Sequence, residues 1–463
     1  MKNEVRTPLF GPWSFYRKAL SIALPVMFQQ LIMSLVSLID NFMVAGLGDA
    51  KMAGINVANQ IIFIYMVVLM ALCSAGGVYI SQYRGAGNGE GMRQAYRFKV
   101  VMTLAVSALY LFLCQVIPDR LIAVMTIGNA AQDEIVSHGV RYMRILSLIC
   151  FPYAISNAIG TGLRETGNTK TPLLFSVIAT CVNTFLNWVL IYGNLGAPRL
   201  EVAGAAIATD IARVVEFASF VVYARVKKPL FFVSLVRILR IRLTLFREIF
   251  ARSALMLVSE LTWVVSETVT VALYNGRGGS EVVAGMAAGW AIANLFFLVF
   301  NGIHVSTTVI VGGSLGGNRL DEARQRARWI QSGSTIAGLV VMLLAAGSLL
   351  LIPLVFGNLT PAARAVTRGL ILVIAAYLPI WALLNAQYAV SRAGGDMMMG
   401  VVADAATTFI IFLPAAFLLA LFTKIGPVAM YAIVKTSDFL KLGVARWWLK
   451  KEKWVRNLAR PLQ

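Results

Sequence analysis

The stretch FPYAISNAIGTGLRETGN, residues 151–168, decides the fold because the chain writes it twice. LPIWALLNAQYAVSRAGGD, residues 378–396, follows the same pattern, with Asn157 answered by Asn385 and Arg164 by Arg392, each 228 residues on. TDIAR (209–213) is answered by SDFLK (437–441) at that same spacing. AGNGEGMRQA (86–95) likewise pairs with GGNRLDEARQRA (316–327). Three anchors at nearly one offset mean that the second half is built on the plan of the first.

The sequence around these anchors is too apolar for a soluble domain. Of 463 residues 59% are hydrophobic and 13% charged, against roughly 25% charged in soluble globular chains. Mean hydropathy is +0.75. The charges cluster, and the stretches between them reach the ~20 residues a helix needs to cross a hydrocarbon core. About twelve spans follow, near 17–45, 52–83, 93–117, 134–162, 171–194, 202–225, 247–274, 281–314, 327–354, 361–391, 398–421 and 426–448. The short alternating segments of a membrane β-barrel are missing. The expected fold is an all-α polytopic membrane protein of two six-helix bundles: an N-lobe (1–225), a basic cytoplasmic linker (226–246), and a C-lobe with a basic tail (247–463). Six spans per half make the repeat parallel, a transporter layout with a cavity between lobes. Pro25 should kink the first span, since it lacks an N–H and crowds the preceding turn.

The net charge of +20 points to membrane topology, not nucleic acid. Cations gather in alternate loops, most densely at Arg225, Lys227, Lys228, Arg237, Arg240, Arg242 and Arg247. The positive-inside rule then places both termini in the cytoplasm; the expected location is the cell inner (plasma) membrane. The polar start runs into a span longer than a signal h-region. Cys73, Cys114, Cys150 and Cys181 form no CxxC pair, so neither a disulfide framework nor a zinc site is suggested. No GxxxxGK[ST] loop or catalytic triad appears, which excludes nucleotide-driven transport and an enzyme on the sequence.

The chemistry lies in a few polar groups inside apolar runs. Asp40 interrupts SLIDNFMVAG (37–46), where an ionised acid costs about 2.5–3.5 kcal/mol on insertion scales and calls for a cavity or a partner. It shares a helix face with Ser37, Met33 and Gln29/Gln30. Asn41 falls on another face and serves as a helix contact. Asn56, Asn59 and Gln60 come to similar depth, and Asn183 and Asn187 line one face at i,i+4. Taking a carboxyl out of water favours its neutral form, which suits a proton carrier. Glu260 and Glu267 share a face of the seventh span, with Asp404 a further cavity candidate. Asp210, Arg213 and Glu216, and again Lys435, Asp438 and Lys441, are spaced to neutralise one another within a helix. His138 and His304 stand apart and read as hydrogen-bonding groups.

SLIDNFMVAGLGDAKMAGINVANQ (37–60), NAIGTGLRETGNTKTP (157–172) and NTFLNWVLIYG (183–193), set in a twelve-helix parallel repeat, resemble the MATE multidrug and toxic compound extrusion transporters, in their DinF/NorM-like bacterial branch. The resemblance spans nearly the whole chain. It implies cation-coupled antiport of amphipathic, often cationic, organic compounds by a V-shaped pair of bundles. It implies that Asp40 is the coupling acid of the first helix, with Asn157, Asn183 and Thr209 as its polar partners. Asn187 stands where many members carry a second acid. Glu260 matches an acid of the seventh helix, while the companion acid on the tenth is missing, for 378–391 holds no Asp or Glu. Both departures favour H+ over Na+.

The expectation is thus a secondary multidrug efflux antiporter working by alternating access, a monomer without cofactor or firm metal site, with Na+ at Asp40 the other coupling ion to test. Cation coupling is assigned to Asp40, Asn157, Asn183, Asn187 and Thr209. The substrate cavity is assigned to Gln30, Met33, Ser37, Asn56, Asn59, Glu260 and Glu267. A lipid-linked oligosaccharide or lipid II flippase of the wider superfamily is the alternative; it calls for a cationic cavity, whereas the buried charges here are mostly acids. A non-transporting scaffold or receptor fits the intramembrane carboxylates less well.

Overall fold

The computed structural model describes residues 8–45, 49–127 and 131–459, and all regular secondary structure among them is helical. The helices are α1 (Trp13–Ala45), α2 (Asp49–Gly85), α3 (Gly89–Val116), α4 (Pro118–Met125), α5 (Gln132–Ser147), α6 (Cys150–Glu165), α7 (Lys170–Tyr192), α8 (Val202–Lys227), α9 (Leu243–Asn275), α10 (Ser280–Thr307), α11 (Gly313–Gly316), α12 (Leu320–Ser348), α13 (Ile352–Val355), α14 (Pro361–Ala393), α15 (Met398–Gly400), α16 (Leu413–Phe422), α17 (Pro427–Lys435) and α18 (Ser437–Lys450). The side chain of Asn41 lies outside the described residues.

Nine of the described helices are long and apolar enough to span a membrane, and ten if the bent pair α5–α6 counts as one. The remaining two of the expected twelve are α8, whose apolar run carries Asp210, Arg213 and Glu216, and the α17–α18 pair, divided at Thr436. The bend between α5 and α6 is 55°. It falls at Leu148 and Ile149, where Pro152 cannot donate to the Leu148 carbonyl four residues back. The short α4 was not expected. Pro118 stops α3 and starts α4 at its first position, the place a helix tolerates proline. Two stretches widen into π-helix, Thr308–Gly312 and Val401–Phe412, the second interrupted at Thr407; Asp404 sits in the second.

The chain divides into two compact units. One comprises Phe28–Ile80 and Gly89–Phe250. Its core gathers Ile55, Ile62, Tyr65, Leu69, Tyr110, Met143 and Leu146, with Tyr65 stacked on Tyr110 at 4.2 Å. Lys99 is wholly buried against Glu165 at 2.8 Å. This pair fits because α2 offers glycines beneath it: a Cβ on Gly77 would stand 1.8 Å from Glu165 Oε1, and one on Gly76 would be 2.5 Å from Lys99 Cγ. The basic segment after α8 is folded onto this unit. Gln94 donates to the Arg240 carbonyl and accepts from the Arg242 N–H, while Phe231 packs against Tyr96 at 5.4 Å.

The other unit comprises residues 1–27, 81–88 and 251–463. α14 runs through it, capped by Thr360, whose hydroxyl accepts the Ala363 N–H. Its core includes Ile371, Ile374, Leu378, Trp381, Phe412 and Tyr431. The last turn of α2 belongs here: Ser81 donates to the Thr308 carbonyl at 2.6 Å, and Gln82 donates to the Ala393 carbonyl at 2.8 Å. Gln82 also accepts the Leu458 N–H at 2.7 Å, tying down the chain's last described residues. α1 is shared, passing from one unit to the other after Met27, two residues beyond Pro25.

Candidate functional site

Asp40 lies on α1 inside the unit formed by Phe28–Ile80 and Gly89–Phe250. Asn187 of α7 donates to Asp40 Oδ1 at 2.7 Å. One turn earlier, Asn183 stands 3.4 Å from the Asn187 amide and donates in turn to the Thr209 hydroxyl of α8 at 3.2 Å. Both asparagines are buried. Four predicted coupling residues therefore form one hydrogen-bonded line across three helices. The i,i+4 spacing on α7 puts Asn183 and Asn187 on one face, so that one amide meets Asp40 and the other continues the line to Thr209.

A second line runs beside it. Gln29 of α1 donates to Ser176 at 2.7 Å, and Ser176 donates to Glu216 at 2.9 Å. Glu216 pairs with Arg213 at 2.8 Å, and the Arg213 guanidinium lies 5.2 Å from the centre of the Tyr153 ring. The expected series Asp210–Arg213–Glu216 thus closes only at its second step. Asp210 Oδ1, Asn187 Oδ1 and Gln29 Oε1 are buried and have no hydrogen-bond donor among the described residues. All three are acceptors. A buried acceptor without a partner loses about 1–3 kcal/mol, so this region is suited to receive a proton, a water or a cation. The spacing reads Asp210 as an ion-pair member; in the structure it follows Thr209 on α8 and its Oδ1 is left without a donor among the described residues. Tyr142 lies within electrostatic reach of both Asp40 and Asp210.

The other predicted residues disperse. Asn157 turns toward Met70, its amide 3.9 Å from the sulfur. Gln30, Ser37, Asn56 and Asn59 are exposed and Met33 is half-buried; Asn59 lies 3.5 Å from the Tyr142 hydroxyl. Glu260 and Glu267 fall in the other unit. There Glu260 pairs with Arg392 at 3.1 Å and Glu267 with Lys435 at 3.3 Å. Lys441 pairs with Asp404 at 2.6 Å and lies 3.7 Å from Asp438. The Asp438–Lys441 contact is a step of the same-helix series read from spacing; the pairs with Arg392, Lys435 and Asp404 join different helices, which spacing does not show.

The MatE family model matches residues 25–189 and again 255–425, once in each half and over most of the chain. The chain belongs to the MatE family. It is a multi-span membrane transporter, not an enzyme. Among relatives, the probable multidrug resistance protein NorM of Halalkalibacterium halodurans is 24% identical over 94% of this chain and 93% of its own length. The probable NorM of Thermotoga maritima is 26% identical over 64% of this chain, a match that spans 62% of that protein. The fold is similar to a crystallised MATE in its straight conformation (TM-score 0.83, 19% identity, 96% of this chain and 97% of that one). It is also similar to the outward-facing form of a multidrug resistance MATE family transporter (TM-score 0.80, 20% identity, 96% of each). The double match to one MatE model agrees with the internal repeat read from the sequence.

Proposed function

We propose that this MatE protein exports amphipathic organic cations in exchange for H+, with Asp40 as the group that carries the coupling proton. The observation behind this reading is the line Asp40–Asn187–Asn183–Thr209. Asn187 donates to a charged carboxylate, a bond stronger than one between neutral groups. Protonation of Asp40 turns that acceptor into a donor and weakens the grip of α7 on α1. The part of α1 beyond Pro25 is then free to shift, because proline has already removed one rung of the helix ladder. Return of α1 exposes Asp40 to the opposite side, where it releases the proton.

Na+ is the other ion this site could hold. With an amide at 187 the pair Asp40/Asn187 offers one formal negative charge. The relatives named as multidrug resistance proteins support drug export as the transport task. Asp40→Asn keeps the size of the side chain and removes the titrating group. Expressed in a pump-deficient strain, this variant is expected to reach the membrane and lose ethidium efflux. Normal efflux from Asp40→Asn would sink the mechanism. Vesicles with imposed H+ or Na+ gradients identify the coupling ion: a pH jump alone should drive uptake of the drug.

A further inference from the structure

An ammonium already sits in an aromatic cage in the unit formed mainly by residues 251–463, and it belongs to the protein. Lys435 Nζ lies 5.1 Å from the centre of the Phe412 ring, 5.5 Å from Tyr431 and 5.6 Å from Trp381. Faces of aromatic rings attract a cation through their quadrupole, most strongly when water is excluded. Lysine brings three N–H donors. Among the described residues Lys435 uses them on one hydrogen bond, to Glu267 at 3.3 Å, longer than the 2.7–2.9 Å typical of ammonium–carboxylate bonds. Lys435 is thus held by rings and charge, with a single long hydrogen bond.

The walls also carry unused polar groups. Tyr274 meets Tyr431 edge-on at 5.6 Å and Trp290 meets it at 5.8 Å. Tyr274 and Tyr431 are each 1% exposed, yet neither hydroxyl has a hydrogen-bond partner among the described residues, nor does the Trp290 N–H. Charge is unbalanced as well. Glu267, Asp404 and Asp438 face Lys435 and Lys441, three carboxylates against two ammoniums. Trp381 donates to Asp438 at 2.8 Å and fixes it beside the cage. One negative charge remains for one monovalent cation.

The repeat supplies an independent pointer. α1 and α9 are both 33 residues long. At the repeat's offset of 228, Glu260 takes the place of Ile32 and Glu267 that of Ile39, the residue before the place of Asp40. Glu267 is thus the second-half acid at the depth of the coupling acid.

We propose that this cage is a binding site for a singly charged organic cation, a quaternary or alkylated ammonium, which displaces Lys435 from Glu267. The proposal rests on the reading of the chain as an organic-cation exporter and adds where in the second half such a cation is held and what it competes with. A quaternary ammonium has no N–H to satisfy and keeps its gain from the rings, whereas a primary ammonium is compact and strongly hydrated. Lys435 has a second acid at hand: Asp438, three residues on, already acts on its charge. Glu267 is left as counter-ion to the ligand.

The test is tetraethylammonium binding by calorimetry to the purified full chain in lipid nanodiscs, with no gradient. Lys435→Met and, as a second form, Lys435→Gln are expected to bind about tenfold more tightly than the natural chain. Glu267→Gln is expected to bind about tenfold more weakly, and Phe412→Leu to bind more weakly with its melting temperature retained. Unchanged or weaker binding in both folded Lys435 variants, or full affinity in Glu267→Gln, overturns the cage. Whole-cell ethidium export is read in parallel. Export without the Lys435 gain removes the cage and leaves the efflux reading; the Lys435 gain without export by the natural chain does the reverse.

Discussion

Asp40 is answered by an amide where a second acid would have made a different site. The 2.7 Å contact from Asn187 gives the carboxylate a donor but no competitor for a proton. Asn187→Asp would set two carboxyls side by side, and like charges so close cannot both ionise without a cation between them. We expect this variant to gain Na+ binding, read by 22Na uptake into proteoliposomes; no gain would mean that residue 187 does not select the ion. The buried Lys99–Glu165 pair has a structural consequence instead. Lys99→Met leaves Glu165 buried without its partner and should cost about 3–5 kcal/mol, seen as a lower melting temperature in detergent. Adding Glu165→Leu should recover much of the loss, since an apolar pair of similar volume suits that site. Much of the residue-level site was legible. Asp40, Asn183 and Asn187 announce themselves because polar groups at helical spacing in an apolar run have few other uses. The attachment of Lys435 to Glu267 and of Lys441 to Asp404 was not legible, because those partners lie on helices far apart in sequence and helical spacing ranks only neighbours.

The elements were legible in number and type, less so in their breaks. Long apolar runs with few charges leave helix as the one answer, since every backbone group inside a bilayer must be satisfied internally. The division of the fourth expected span into α5 and α6 follows from Pro152, yet Pro25 and Pro379 lie within helices that continue through them. Proline thus marks a weak point, and packing decides whether the helix parts there. The widened π turns around Asp404 carry no comparable mark in the sequence. At Pro25 the weak point coincides with the passage of α1 between units. Pro25→Ala restores the missing N–H and stiffens α1 at that place. We expect slower ethidium efflux with unchanged expression and unchanged ethidium affinity; equal rates in the two proteins would show that α1 need not bend there.

At the scale of the molecule, one plan is used twice with different chemistry. The first half carries the hydrogen-bonded line from Asp40 to Thr209, whereas the second half carries acid–lysine pairs and aromatic rings. The repeat was readable because Asn157/Asn385 and Arg164/Arg392 keep one offset, and the MatE match falls once in each half. The cationic loops lead to a prediction about orientation. The positive-inside rule predicts cytoplasmic termini, so green fluorescent protein fused after Gln463 should fluoresce, and alkaline phosphatase fused there should stay inactive. The opposite pair of results would invert the assigned topology.

The end of α2 carries a consequence for biosynthesis. Gln82 meets Ala393 and the Leu458 N–H, partners made 311 and 376 residues later. At about 5–20 residues per second, the nascent chain waits roughly 20–75 seconds before that glutamine can close its bonds. For that interval the Gln82 side chain is without these two partners, and the unit to which it belongs is unfinished until translation is almost complete.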